Sequence, residues 1–261
     1  MDLQLTSKTA LVTGSTAGIG LAIAQGLAAE GAAVIITGRS EARIAEAKAA
    51  ILAQTPEASV RGVVVDFGEA SQVENLLQAV PTVDILVNNV GIFDPKPFAE
   101  IPDAEWLRFF EVNVLSGVRL SRQYFPLMLK QNWGRILFIS SESALQIPAE
   151  MIQYGTTKTA QLAVARGLAE LTKGTGVTVN SVLPGPTASE GVEDFLAKMS
   201  GGKSRQDAEK DFFEHARPSS LLQRFATPAE VANMVVYLSS PLASATNGAS
   251  VRVDGGVVRA I

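Results

Sequence analysis

Tyr154 and Lys158 stand four residues apart in the stretch Ser141 to Lys158, SESALQIPAEMIQYGTTK. On a helix that spacing puts two side chains on one face, one turn apart. A phenol is a poor acid near neutrality, with a reference pKa of about 10. A fixed ammonium beside it favours the phenolate and lowers that value. A phenol tuned in this way can give or take a proton at a carbonyl or alcohol oxygen. A Tyr and a Lys on an amphipathic helix also occur without any chemistry, so the elements that hold them must decide.

Those elements alternate. Thr9 to Thr13 is a short β-prone run that ends directly in the glycines of TGSTAGIG (13–20), and the Ala- and Leu-rich GLAIAQGLAAEG follows. Strand, glycine loop and helix in this order make a phosphate cradle, because glycines let the backbone approach a pyrophosphate and the helix N-terminus supplies oriented N–H groups. The spacing is G-x-x-x-G-x-G, not the commoner G-x-G-x-x-G. Ala32 to Thr37 reads as a second strand, and Gly38-Arg39-Ser40 follows it. An acidic residue at this point would accept from an adenosine ribose 2′-OH, whereas an arginine suits a 2′-phosphate. Glycine stands at the acid position and Arg39 with Ser40 comes next, which favours NADP(H), with NAD(H) as the alternative.

Ser40 to Gln54 is a helix capped by Ser40. Val60 to Asp66 is a third strand, whose Asp66 could accept from the adenine amine. Ser71 to Val80 is a helix stopped by Pro81, and Val83 to Val87 is a strand leading into Asn88-Asn89-Val90-Gly91. Asp103 to Gln131 is a long helix capped at Pro102-Asp103 and interrupted near Asn113, where a kink would free a carbonyl for water. Arg135 to Ser141 is a fifth strand that delivers Ser141 to the C-terminal sheet edge, where open α/β sheets bind ligands. Ile152 to Lys173 is the helix carrying Tyr154 and Lys158. Val177 to Leu183 is a sixth strand, Thr227 to Ser239 a helix with a capping box, and Gly248 to Val253 a last strand. The polar segment Glu190 to Ser220 breaks this alternation and reads as a substrate lid at about 188–222. The pattern calls for an α/β fold with a parallel sheet and helices on both faces, as a single domain over 1–261.

Composition narrows the function. The net charge of −4 and a pI of about 5.2 argue against nucleic acid or an anionic membrane as partner. There is no cysteine, so thiolate chemistry and cysteine metal sites are excluded, and the single histidine, His215, argues against a zinc site or a Ser-His-Asp triad. No metal is expected. No secretory signal and no membrane-length apolar run is visible, so the expected location is the cytoplasm.

Together these motifs resemble the short-chain dehydrogenases/reductases. The resemblance covers nearly the whole chain and rests on TGSTAGIG (13–20), Asp66, NNVG (88–91), Asn113, Ser141, Y-x-x-x-K (154–158), PGPT (184–187) and VDGG (253–256). Val90 stands where the family usually has alanine, and Gly155-Thr156-Thr157 replaces a commoner Ser-Ala-Ser. The resemblance implies a doubly wound, Rossmann-type sheet of seven parallel strands. Tyr154 would be the general acid in reduction and the base in oxidation. Lys158 would lower its pKa and hold the nicotinamide ribose, and Ser141 would hydrogen-bond the substrate oxygen. Asn113 would hold a water in a proton relay. Gly14, Ser15, Thr16, Gly18, Ile19, Gly20, Arg39, Ser40, Asp66, Phe67, Asn89, Val90, Gly91, Pro184, Gly185 and Thr187 would join Tyr154 and Lys158 in binding the cofactor. A homotetramer or homodimer is implied, with Thr227 to Val253 at an interface.

The expected function is an NADP(H)-dependent oxidoreductase acting on a small carbonyl or secondary alcohol. A catalytically silent NAD(P)-binding regulator or scaffold of the same fold is the alternative, although such a protein would be expected to lose the Tyr or the Lys. A methyltransferase ranks lower, since it needs no Tyr-Lys pair. Phe93, Glu142, Leu145, Ile147, Met151 and the lid apolar residues Phe195, Leu196, Met199, Phe212 and Phe213 are candidates to line the pocket. Glu142 either meets a polar or cationic substrate group, or caps a loop or pairs with a lid residue. His215 reads as a surface or lid residue.

Overall fold

The computed structural model describes residues 1–189, Val192 and 204–260. Its strands are β1 (Thr9–Val12), β2 (Ala33–Gly38), β3 (Val60–Val64), β4 (Ile85–Asn88), β5 (Gly134–Ile139), β6 (Val177–Pro184) and β7 (Ser250–Val253). All pair in parallel, in the order β3-β2-β1-β4-β5-β6-β7. The order reverses between β1 and β4, which opens a crevice at the C-terminal strand edge.

Its helices are α1 (Gly18–Ala29), α2 (Glu41–Gln54), α3 (Ala70–Ala79), α4 (Asp103–Phe110), α5 (Ser116–Lys130), α6 (Ile152–Glu170), α7 (Arg205–Asp211) and α8 (Pro228–Ser239). Successive strand residues face opposite ways, so each strand serves two cores. Ala10, Val12, Ile85 and Val87 pack with α1, α2 and α8, while Leu11, Leu86, Ile136 and Phe138 pack with α3, α5 and α6. A sheet covered on both faces explains why these strands read as continuous apolar runs.

The expected boundaries shift where strands meet loops. Thr13, Asp66 and Ser141 lie just past the strand ends, with Asp66 and Ser141 on the cleft walls and Thr13 fully buried and still bonded to Val87 O. Two caps hold as read. Ser40 accepts from Arg43 N at 3.4 Å, and Thr227 and Glu230 exchange both bonds of a capping box. Pro102 begins α4 without any side-chain cap. The interruption near Asn113 is a π-helical turn, Glu111–Leu115, between α4 and α5. Of the expected lid, Phe195, Leu196 and Met199 lie outside the described residues. Its described part includes α7 and a second π-helical turn, Phe212–Ala216, where Phe212 and Phe213 pack on Phe225 with ring centroids 5.1 Å from it.

Candidate active site

The glycine loop is held by side chains from two neighbouring strands. Asn89 donates its amide to Thr13 O at 2.8 Å and to Gly14 O at 3.0 Å. Thr13 Oγ1 accepts from Asn89 N at 2.8 Å and Val90 N at 3.0 Å. Gly20 is the tightest point, since a Cβ there would lie 2.3 Å from Gly14 O and 2.5 Å from Asn89 Nδ2. Gly14 has φ of 59°, the left-handed region that glycine enters without strain.

Two adjoining clefts run along the C-terminal strand edge and share Gly91. The first, of about 730 Å³, is lined by Gly14, Thr16, Gly38, Arg39, Asp66, Phe67 and Val90 among others. The second, of about 660 Å³, contains Ile19, Asn89, Ser141, Tyr154, Lys158, Pro184, Gly185 and Thr187. A trough of this length, with close backbone approach at one end and an arginine at its lip, fits an extended dinucleotide. Four of the expected cofactor residues, Ser15, Gly18, Gly20 and Ser40, are outside both linings. Ser15 is fully buried, bonding Val12 O and Thr37 N, so it ties β1 to β2 instead of facing the cleft. Ser40 is outside both linings because its hydroxyl caps α2.

In the second cleft, α6 is pinned to β5 by Ser140 Oγ, which donates to Lys158 O at 2.8 Å. Gly155 lets α6 pack closely on the segment after β5, because a Cβ there would lie 2.7 Å from Ile147 Cγ2 and 3.0 Å from Ser143 O. Lys158 Nζ donates to Ile139 O at 2.9 Å and sits 5.6 Å from the centre of the Tyr154 ring. Burial pushes the Lys158 ammonium down to about 8. Tyr154 is shifted upward, by burial first and by the Glu142 carboxylate second, against the lowering effects of Ser141 and Arg217. Lys158 is not among the groups that lower it, so the expected tuning by the ammonium is not seen in the chain alone, and the burial that disfavours the ammonium disfavours the phenolate too.

Asn113 is 1% exposed, and its side chain is fully engaged. Its Oδ1 accepts from Ile92 N at 2.7 Å, and its Nδ2 donates to Ile92 O and Thr157 Oγ1 at 3.0 Å each. Its main-chain carbonyl accepts from Gln161 Nε2 at 2.5 Å, a partner that sequence reading missed.

Glu142 follows the second of its two readings. It is 5% exposed and pairs with Arg217, beyond α7, at 3.0 Å. Its other oxygen accepts from Ser141 Oγ at 2.5 Å. Of the other pocket candidates, Phe93, Met151 and Phe212 line the second cleft, while Leu145 and Ile147 lie outside its lining and are exposed. Pro95, Glu150, Val192, Arg217 and Phe225 complete the wall, although no local motif announces them. His215 is exposed at the rim, with Nδ1 3.0 Å from Asp211 O.

Comparison with known proteins agrees with this geometry. Residues 8–200 match the family described as short chain dehydrogenase. The chain is 51% identical to the oxidoreductase YvaG of Bacillus subtilis (strain 168), with 100% of both chains covered. It is 34% identical to the D-beta-hydroxybutyrate dehydrogenase of Cupriavidus necator, covering 98% of this chain and 99% of that one. Among solved structures, the L-sorbose reductase of Gluconobacter frateurii, complexed with NADPH and L-sorbose, superposes with a TM-score of 0.91 at 30% identity, with 100% of both chains covered.

Proposed function

The chain belongs to the short-chain dehydrogenase family, and we propose that it is an NADP(H)-dependent oxidoreductase with Tyr154 as its general acid and base. The observation that carries this reading is the convergence of Ser141, Tyr154 and Lys158 on one cleft beside Pro184, Gly185 and Thr187. A bound nicotinamide supplies or accepts the hydride. In reduction Tyr154 gives its phenolic proton to the carbonyl oxygen, and in oxidation its phenolate takes the proton of the alcohol. Ser141 turns its hydroxyl toward the same oxygen and stabilises the charge that develops there. Lys158 keeps a positive charge close to the phenol and offers N–H donors to ribose hydroxyls. Preference for NADP(H) over NAD(H) is supported by Arg39 at the lip of the first cleft, with glycine at the usual acid position.

The substrate is a small to medium carbonyl or secondary alcohol. Phe93, Pro95, Met151, Phe212 and Phe225 offer it apolar walls, and Glu142, Glu150 and Arg217 a charged floor. A solved structure similar to this one holds L-sorbose, which is consistent with a neutral hydroxylated ketone. Tyr154→Phe removes the proton donor alone. Turnover of NADPH against a panel of ketones, sugars and 3-oxoacyl thioesters should fall by roughly 10²–10⁴-fold. NADPH affinity, read by fluorescence titration, should change less than about tenfold, or 1.4 kcal/mol. Retained turnover would sink the assignment, and a wild-type chain that binds NADPH but turns over nothing would favour the silent scaffold. Among the described residues no helix is long and apolar enough to cross a membrane. A cytoplasmic homotetramer or homodimer using the α8–β7 region is our reading of the assembly, to be checked by light scattering.

A further inference from the structure

The pair Glu142–Arg217 lies inside the catalytic cleft but belongs to none of the groups that move protons in the reaction. Glu142 sits one residue past Ser141, whereas Arg217 arrives from the segment after α7, 75 residues away in sequence. Both are more than nine-tenths buried. The carboxylate is shared, with Oε1 on Arg217 Nε at 3.0 Å and Oε2 on the Ser141 hydroxyl at 2.5 Å. Ser141 Oγ also accepts from Ser143 N at 3.1 Å, so the hydroxyl is fixed from both sides. Arg217 is anchored in turn by Ala216 O at 2.8 Å, by Glu150 Oε1 at 3.4 Å and by the Phe212 ring.

A buried carboxylate beside a phenol that must ionise is a handicap, because like charges in a dry site repel strongly. It also competes with substrate for the hydroxyl of Ser141. We infer that Arg217 is a positioning residue for the reaction, whose charge neutralises Glu142 and weakens its hold on the Ser141 hydroxyl, so that the substrate oxygen can displace the carboxylate and Tyr154 can ionise. This inference rests on the oxidoreductase reading. The charged and titratable groups that share the cleft with Tyr154 are Lys158, Glu142, Glu150, Arg217 and His215. Of these, Glu142 raises and Arg217 lowers the pKa of the phenol, so removing either moves it in a known direction.

The test is the pH profile of kcat/KM for alcohol oxidation, read on the limb where the phenolate forms. Arg217→Gln should move that limb to higher pH by about one unit, which corresponds to about 1.4 kcal/mol of lost attraction between the guanidinium and the phenolate. Adding Glu142→Gln to that variant should bring the limb back, and Arg217→Lys should leave it near the wild-type position. Glu142→Gln alone should move it to lower pH. A limb that stays in place in Arg217→Gln, or a uniform loss at every pH that the second substitution does not restore, overturns the proposal. If Arg217→Gln does not fold, Glu142→Gln decides, and a limb unmoved or raised counts against the proposal. Should the wild-type chain oxidise no alcohol, the ultraviolet tyrosinate absorbance of each variant, less that of its Tyr154→Phe counterpart, reads the same shift without turnover. Failure of the oxidoreductase reading is thereby distinguished from failure of this one.

Discussion

Gln161 donates its side-chain amide to the main-chain carbonyl of Asn113 at 2.5 Å, while its Oε1 accepts from Lys158 Nζ at 3.4 Å. The carbonyl expected to hold a relay water thus already carries a protein donor. Gln161 is 2% exposed, so both bonds are made away from bulk solvent. Gln161→Leu would leave the buried Asn113 carbonyl a partner short, a loss of about 1–3 kcal/mol. At about 2–4 °C per kcal/mol for a chain of this size, the expected outcome is a Tm lower by several degrees in calorimetry. An unchanged Tm would show that this bridge contributes nothing to the fold.

Lys158 gives stability a pH dependence with a definite sign. Its folded pKa is lowered from 10.5 to about 8. Between those values the unfolded chain binds more protons than the folded one, so stability should rise with pH. The rise is at most about 1.4 kcal/mol per pH unit. Above pH 10 the upward-shifted Tyr154 opposes it, because the folded chain then holds the proton that the unfolded chain loses. Urea melts from pH 8 to 10 should therefore show increasing stability in wild type and a flatter curve in Lys158→Met. Parallel curves would contradict the assignment of the trend to this ammonium.

Arg39 is exposed where β2 ends, on the wall of the first cleft. A charge-assisted contact to a 2′-phosphate is worth about 1.5–3 kcal/mol. Arg39→Asp should lower the ratio of kcat/KM for NADPH to that for NADH by roughly 10- to 100-fold. A ratio that stays put would mean that the phosphate is held elsewhere, or that NAD(H) is the working cofactor.

Gly20→Ala tests the cradle directly. The added methyl would meet Gly14 O and the Asn89 amide, which itself holds the loop. Overpacking of this kind costs about 1–3 kcal/mol. The expected result is weaker NADPH binding by isothermal calorimetry together with a lower Tm. Wild-type affinity would show that the loop relaxes without consequence.

The parts of the site that rest on local spacing were legible in the sequence. Tyr154 and Lys158 are one helical turn apart, Ser141 leaves a strand, and the glycines follow β1 directly, so pattern alone brought them to one sheet edge. Contacts that depend on the path of the chain were not legible. Arg217 meets Glu142 only because the segment after α7 folds back over the β5 edge. Gln161 meets Asn113 only because the π-helical turn aims that carbonyl at α6. Ser15 misled for the opposite reason. Its place in the loop suggested the cofactor, yet its hydroxyl is used up between β1 and β2.

The π-helical turn at Glu111–Leu115 also sets the angular phase of the helix that follows it. An α-helix advances by about 100° per residue, so one residue more or less turns everything downstream by that angle. With the wider turn, Asn113 points at α6 while Leu120, Tyr124, Phe125 and Met128 still face the sheet. Wound as a regular α-helix, the same residues would swing that apolar row off the sheet by more than a quarter of a revolution. The irregularity is what lets one continuous rod satisfy the core along its length and the active site at its bend.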